Sequence, residues 1–223
     1  MKQRRQQEFD FRTRGGRRPG SGRRCDRFRG GVPHRARPEH KRAHPVHVTL
    51  RASRSLPSFR REVVFREIRR ALGRTARAWF RVVHFSVQQD HLHLIVEADD
   101  KISLSRGLVG LATRLARAVN RMIRRKGKVW ESRFHARALS SPREVRHAIV
   151  YVLMNAKKHL PDAPVLDPCS SAASFMGWRL PASPAPPRGT EELVTQAAQT
   201  WLLRAGWMRH GLIDPTERPR APL

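Results

Sequence analysis

An α+β sandwich of the split βαβ kind is the fold that three features of the sequence predict. Apolar and polar residues alternate over 44–51 and 91–97, the period of a half-buried strand. Apolar residues recur every three to four positions over 58–77, 103–125 and 141–159, the period of an amphipathic helix. The segments follow one another as β-α-β-β-α-β with one further helix, the order of a ferredoxin-like sandwich.

Residues 1–43 precede that pattern. They hold 15 Lys or Arg against four Asp or Glu, paired glycines, and little to bury, which reads as a disordered basic arm. Order begins at "HPVHVTLR", where Val46, Val48 and Leu50 alternate with His47 and Thr49. The first helix is predicted from Ser58 as N-cap, with Val64, Ile68 and Leu72 as its inner face. Residues 78–87 form a second strand, and "QQD" turns it into the strand His91–Glu97. Leu104, Leu108, Leu111, Leu115, Val119 and Met122 line one side of the second helix. Arg114, Arg121 and Arg125 run beside them, with Arg106, Arg117 and Arg124 beyond, a basic stripe suited to phosphate. A short strand lies within 127–139. Ser141, Pro142 and Glu144 then supply an N-cap, a first-turn proline and a capping box for the last helix. The folded domain thus spans 44–165. Residues 166–223 read as a Pro-rich linker with one short helix, Glu191–Gly206.

The chain carries 46 Lys or Arg against 18 Asp or Glu, a formal charge of +28, and 39 of the 46 are Arg. Arginine's planar donor fork matches phosphate, so nucleic acid is the first partner to consider. Cys25 and Cys169 match no metal or redox spacing and read as free thiols. No apolar run follows the basic N-terminus and none reaches membrane-spanning length, so a cytoplasmic, soluble protein is expected.

Two constellations carry possible chemistry. His91 and His93 leave their strand on the face opposite Leu92, Leu94 and Val96. Tyr151, the single tyrosine, falls opposite the apolar side of the last helix, with Asn155, His147 and Lys158 near it. Two imidazoles, a carboxamide oxygen and water form a mixed set suited to Mg²⁺ or Mn²⁺. A phenol, with a reference pKa of about 10, attacks a phosphodiester only when the electrophile is polarised. The plain alternatives are chance surface alternation for the histidines and an exposed, inert tyrosine.

"HLHLIVE", "VWESRF" and "AIVYVLMNA", in that order, resemble the signature stretches of the single-tyrosine HUH transposases, nearest the REP-associated tyrosine transposase branch of insertion-sequence transposases. The resemblance spans about 44–160. It implies the HUH form of the ferredoxin-like sandwich with an extra C-terminal catalytic helix. It further implies that His91, His93 and Asn155 hold a divalent metal, Mg²⁺ or Mn²⁺, and that Tyr151 is the nucleophile. Relatives cleave single-stranded DNA near hairpins or palindromic repeats, form a 5′-phosphotyrosine link and rejoin strands. Where many of them have Met-Pro-Asn and Pro-Val-Arg-Ala, this chain has Gln88-Gln89-Asp90 and Ala156-Lys157-Lys158-His159. Arg133, Arg137, Lys157 and Lys158 flank the expected site and are candidates to track the DNA backbone.

Three other readings use the same residues. A non-catalytic, domesticated nucleic-acid-binding protein would need the charge but neither Tyr151 nor the histidine pair. A replication initiator or relaxase of the HUH type usually belongs to a longer chain with appended domains. A metal-dependent hydrolase would want more acidic residues than Asp90 and Glu97 beside the pair. A monomer and a homodimer both remain open.

Overall fold

The computed structural model describes residues 38–159, 164–179 and 194–219. Most of the expected arm, Cys25 and the Pro-rich stretch 180–189 lie outside these residues. The order is β1 (Val46–Arg51), α1 (Glu62–Gly73), β2 (Phe80–Val87), β3 (His91–Ala98), α2 (Lys101–Met122), β4 (His135–Ala138) and α3 (Pro142–Leu153), followed by a short α4 (Ala156–His159) and α5 (Trp201–Arg204). The four strands form one antiparallel sheet in the order β2-β3-β1-β4. This is the expected split βαβ sandwich, with β1 and β3 as its central strands.

Strand alternation divides the core into two layers. Val46, Val48, Leu50, Leu92, Leu94 and Val96 pack with Val64, Ile68 and Leu72 of α1 and Leu108, Leu111 and Leu115 of α2. Close approach at Gly107 seats α2 on the sheet: a Cβ there would lie 2.2 Å from Cδ2 of Phe80. On the other face, Ile95 and Val83 pack with Val145, Ile149, Val152 and Leu153 of α3. Leu202, Leu203, Trp207 and Ile213 of the C-terminal segment complete that layer.

Helix ends follow local chemistry where it is unopposed. Ser141 accepts a hydrogen bond from the Glu144 amide, and the Glu144 carboxylate accepts from the amide and hydroxyl of Ser140. The predicted capping box therefore forms, reaching one residue further back than expected. Asp100 caps α2 through the Ser103 amide and starts it earlier than expected. Arg124, at φ 52°, ends it earlier, before Arg125.

Three expected helices are shorter, among them the one expected over Glu191–Gly206: of its described residues only Trp201–Arg204 is α-helical, and 194–200 is not. Ser58 caps only a turn, accepting from the Arg60 amide, because tertiary contacts claim the next residues. Phe59 is fully buried, and Arg60 donates to the Val87 carbonyl and to both Asp167 oxygens. So α1 begins at Glu62. The helix expected over 141–159 breaks after Leu153, with Asn155, a weak helix former, at the break. Beyond it Lys157 and Lys158 bond three residues back, to Met154 and Asn155.

The C-terminal segment is fastened to the domain. Glu97, 1% exposed, accepts from the amides of Gln199 and Thr200 and the Thr200 hydroxyl, and pairs with Arg81 at 3.4 Å. Arg146 of α3 donates to the Gly211 and Leu212 carbonyls and to both carboxylate oxygens of Glu217. Among the described residues no helix is long and apolar enough to cross a membrane.

Candidate functional site

Register assembles the site. Thr49 of β1 lies opposite His93 of β3 on one side and His135 of β4 on the other, and His47 stands two residues earlier on the same face. The ring centroids of His91 and His93 are 4.7 Å apart, with planes at 81°. Tyr151 meets His93 edge-on at 5.0 Å and His47 at 5.5 Å, and His47 stacks on His93 at 5.3 Å. Strand pair and helical tyrosine therefore share one cluster, and Tyr151 is half-buried within it rather than pointing idly at solvent.

The Nδ1 atoms face outer partners. His91 Nδ1 lies 2.7 Å from Oδ1 of Asp90, and since a carboxylate only accepts, Nδ1 carries the proton. Burial opposes ionisation of Asp90. The hydrogen bond from His91, with the charge of Arg51, outweighs it and holds the carboxyl below its ordinary value. His93 Nδ1 lies 3.1 Å from the Thr49 hydroxyl and 3.3 Å from His47 Nε2. The Asp90 carboxylate fixes the tautomer of His91, as such carboxylates do behind histidines that ligate metals, while the Thr49 hydroxyl can either donate to or accept from His93.

Asn155 is fully buried, and neither its Oδ1 nor its Nδ2 has a hydrogen-bond partner among the described residues. An unsatisfied buried carboxamide costs about 1–3 kcal/mol, a cost that any polar partner reaching Asn155 would relieve. A carboxamide oxygen and two imidazole nitrogens are donors that a divalent cation accepts. The structure does not hydrogen-bond Asn155 to the histidines, and it stands past the end of α3 rather than on the tyrosine's helical face. Among the described residues no three His, Cys, Asp or Glu side chains form a metal cage.

The four basic candidates separate. Lys158 places Nζ 4.2 Å from the centre of the Tyr151 ring, and burial lowers its pKa. Arg137 pairs with Glu144 at 2.8 Å. Lys157 donates to the Pro215 carbonyl and so faces the C-terminal segment. Arg133 is exposed just before β4. Sequence reasoning did not assign His47, Thr49 or Asp90 to the site. For His47 and Thr49 the signal was the β1 alternation itself, because a ferredoxin-like order sets β1 beside β3; for Asp90 it was its place next to His91 in the chain.

Burial, and then the charges of His135 and Arg137, lower the pKa of His47 to about 4. Burial alone does the same for His84, on the same sheet face. Both groups are depressed. The unfolded chain thus binds protons between pH 6.5 and 4 that the folded chain refuses, and stability falls as pH drops through that window. Urea titrations across it should show the loss. His84→Gln should make it smaller by about 3 kcal/mol at pH 4, and an unaltered pH slope would show that His84 is not held neutral.

A family model described as "Transposase IS200 like" matches residues 41–152, half of the chain. Comparison with curated protein sequences gives no match. Among solved structures, a REP-associated tyrosine transposase bound to a REP hairpin matches with a TM-score of 0.50 and 18% identity, covering 63% of this chain and 82% of that one. The two share a fold. A bacterial tRNA(His) guanylyltransferase-like protein in complex with ATP matches with a TM-score of 0.38 and 12% identity over 61% of this chain and 67% of that one, too distant to carry an argument.

Proposed function

We propose, for a chain that belongs to the IS200-like transposase family, a specific reaction: cleavage and rejoining of single-stranded, hairpin-bearing DNA through a 5′-phosphotyrosine intermediate at Tyr151. One observation carries the reading. The only tyrosine of 223 residues sits edge-on to His93, whose Nδ1 is backed by Thr49, beside His91, whose Nδ1 is backed by Asp90. A surface tyrosine of a DNA-binding protein has no need of that company.

His91, His93 and Asn155 would hold the cation. When bound, a divalent cation would polarise a phosphoryl oxygen and offset charge on the departing oxygen. The remaining work falls to the chain. The cluster orients the Tyr151 hydroxyl in line with the scissile phosphorus. Its oxygen forms the new P–O bond as the bond to the 3′-oxygen breaks. The phenolic proton passes, net, to that oxygen, leaving a free 3′-hydroxyl. Lys158, above the ring, favours negative charge on the phenolic oxygen and on the phosphate beside it. The phosphotyrosine keeps the energy of the original diester, so the reverse attack by a 3′-hydroxyl rejoins strands without a nucleotide cofactor. Arg133, Arg137, Lys157 and Lys158 are proposed to follow the backbone, residues 44–165 to form the catalytic domain, and residues 1–43 to aid DNA capture.

Incubating the full chain with a hairpin-bearing single strand and Mn²⁺ or Mg²⁺ tests the reading. A denaturation-resistant protein–DNA adduct should appear, disappear with a chelator, and be absent with fully duplex DNA of the same sequence. Strand binding without any adduct in either metal would favour the non-catalytic reading instead.

A further inference from the structure

Across the sheet from Tyr151, Arg74, Arg77 and Arg114 gather on the layer formed by α1 and α2. Arg74 caps the C-terminal end of α1, and Arg77 stands in the turn leading to β2, its amide bonded to the Phe80 carbonyl. Arg114 is fixed from below. Its Nη1 donates to the Thr75 hydroxyl at 3.1 Å, and that buried hydroxyl donates to the Ala71 carbonyl at 2.9 Å. Burial, and then the charges of Arg77 and Arg74, lower the Arg114 pKa, so the three guanidiniums feel one another. Two other arginines of this layer share one carboxylate: Glu67 lies 2.6 Å from Arg70 and 3.9 Å from Arg121. Among the described residues none of Arg74, Arg77 and Arg114 has a carboxylate within 4.0 Å. Arg114 is tied to Thr75, which stands between Arg74 and Arg77 in the chain, and like charges placed there with no counter-charge are a standing cost that an anion would remove.

We propose that Arg74, Arg77 and Arg114 form a second phosphate-binding surface that takes the backbone of DNA flanking the segment held at Tyr151. Planar donor forks suit consecutive phosphates of a nucleic acid better than a lone anion. Position argues for flanking DNA. Phe80 pairs with Ala98 at one end of the β2–β3 hairpin and Val87 with Leu92 at the other, next to His91. Those ends are about 20 Å apart at ~3.3 Å per residue, and the cluster is also on the opposite sheet face. A strand long enough only to fill the tyrosine site cannot reach it. The inference rests on the proposed DNA binding but not on the proposed chemistry.

Arg74 and Arg77 are exposed, so Arg74→Gln with Arg77→Gln leaves the Arg114–Thr75 bond in place. The dissociation constant of the full chain would be measured across salt concentrations for a short single strand and for the same strand extended by a hairpin stem. On the extended DNA the slope of log K against log salt should fall by about two, with an affinity loss of about tenfold or more near physiological salt. The short strand should bind as tightly as before, and Arg74→Lys with Arg77→Lys should keep the slope. An unchanged slope on the extended DNA, or an equal loss on both DNAs, would overturn the proposal. Binding is read whether or not an adduct forms, so failure of the cleavage reading leaves this outcome distinct.

Discussion

Tyr151→Phe should abolish the covalent protein–DNA adduct and leave single-strand affinity within about twofold of the parent chain. Only one oxygen is removed. The ring that packs edge-on to His93 and His47 and lies beneath Lys158 is retained, so the cluster keeps its shape. The sequence holds no other tyrosine to substitute for it. Electrophoresis after denaturation reads the adduct, and a filter or anisotropy assay reads binding. Loss of both together would mean that Tyr151 grips DNA rather than attacking it.

Glu97→Ala should destabilise the fold by about 3–5 kcal/mol, because it strands the charge of Arg81 in the interior. The same change removes the acceptor for two amides and a hydroxyl at 199–200 and so frees the N-cap of α5, where the Thr200 side chain also accepts from the Leu203 amide. Its effect should spread to α3, whose outer side is packed by Leu202, Leu203, Trp207 and Ile213. Urea unfolding with hydrogen exchange along α3 measures both. A loss below about 1 kcal/mol would place the C-terminal segment outside the cooperative unit.

Local signals that agreed with tertiary demand were legible in the sequence. Val46, Val48 and Leu50 alternate because one sheet face meets α1 and α2, and Ser141-Pro142 with Glu144 starts α3 because nothing else competes for those groups. The three stretches that suggested the family lie on β3, before β4 and on α3, and the matching family model spans all of the first two and most of the third. Ser58 misled because Phe59 and Arg60 are drawn to the core and to Asp167, more than a hundred residues away. Glu97 read as a spare carboxylate beside the histidines for the same reason, since its partners lie at Arg81, Gln199 and Thr200. His47 and Thr49 read as plain strand alternation, because their role depends on which strand lies beside β1, and register is a property of the assembled sheet. Asn155 was expected on the tyrosine's helical face; the break after Leu153 turns it inward, where burial without a partner marks it instead.

Peptide mapping of the adduct tests the central claim most directly. After incubation with a hairpin-bearing strand, nuclease trimming and trypsin digestion, mass spectrometry should find the residual nucleotide on the peptide 147–157. It should be joined through its 5′-phosphate to the Tyr151 oxygen, with a free 3′-hydroxyl on the released strand. Nucleotide attached to any other residue, or a released strand ending in a 3′-phosphate, would contradict the account.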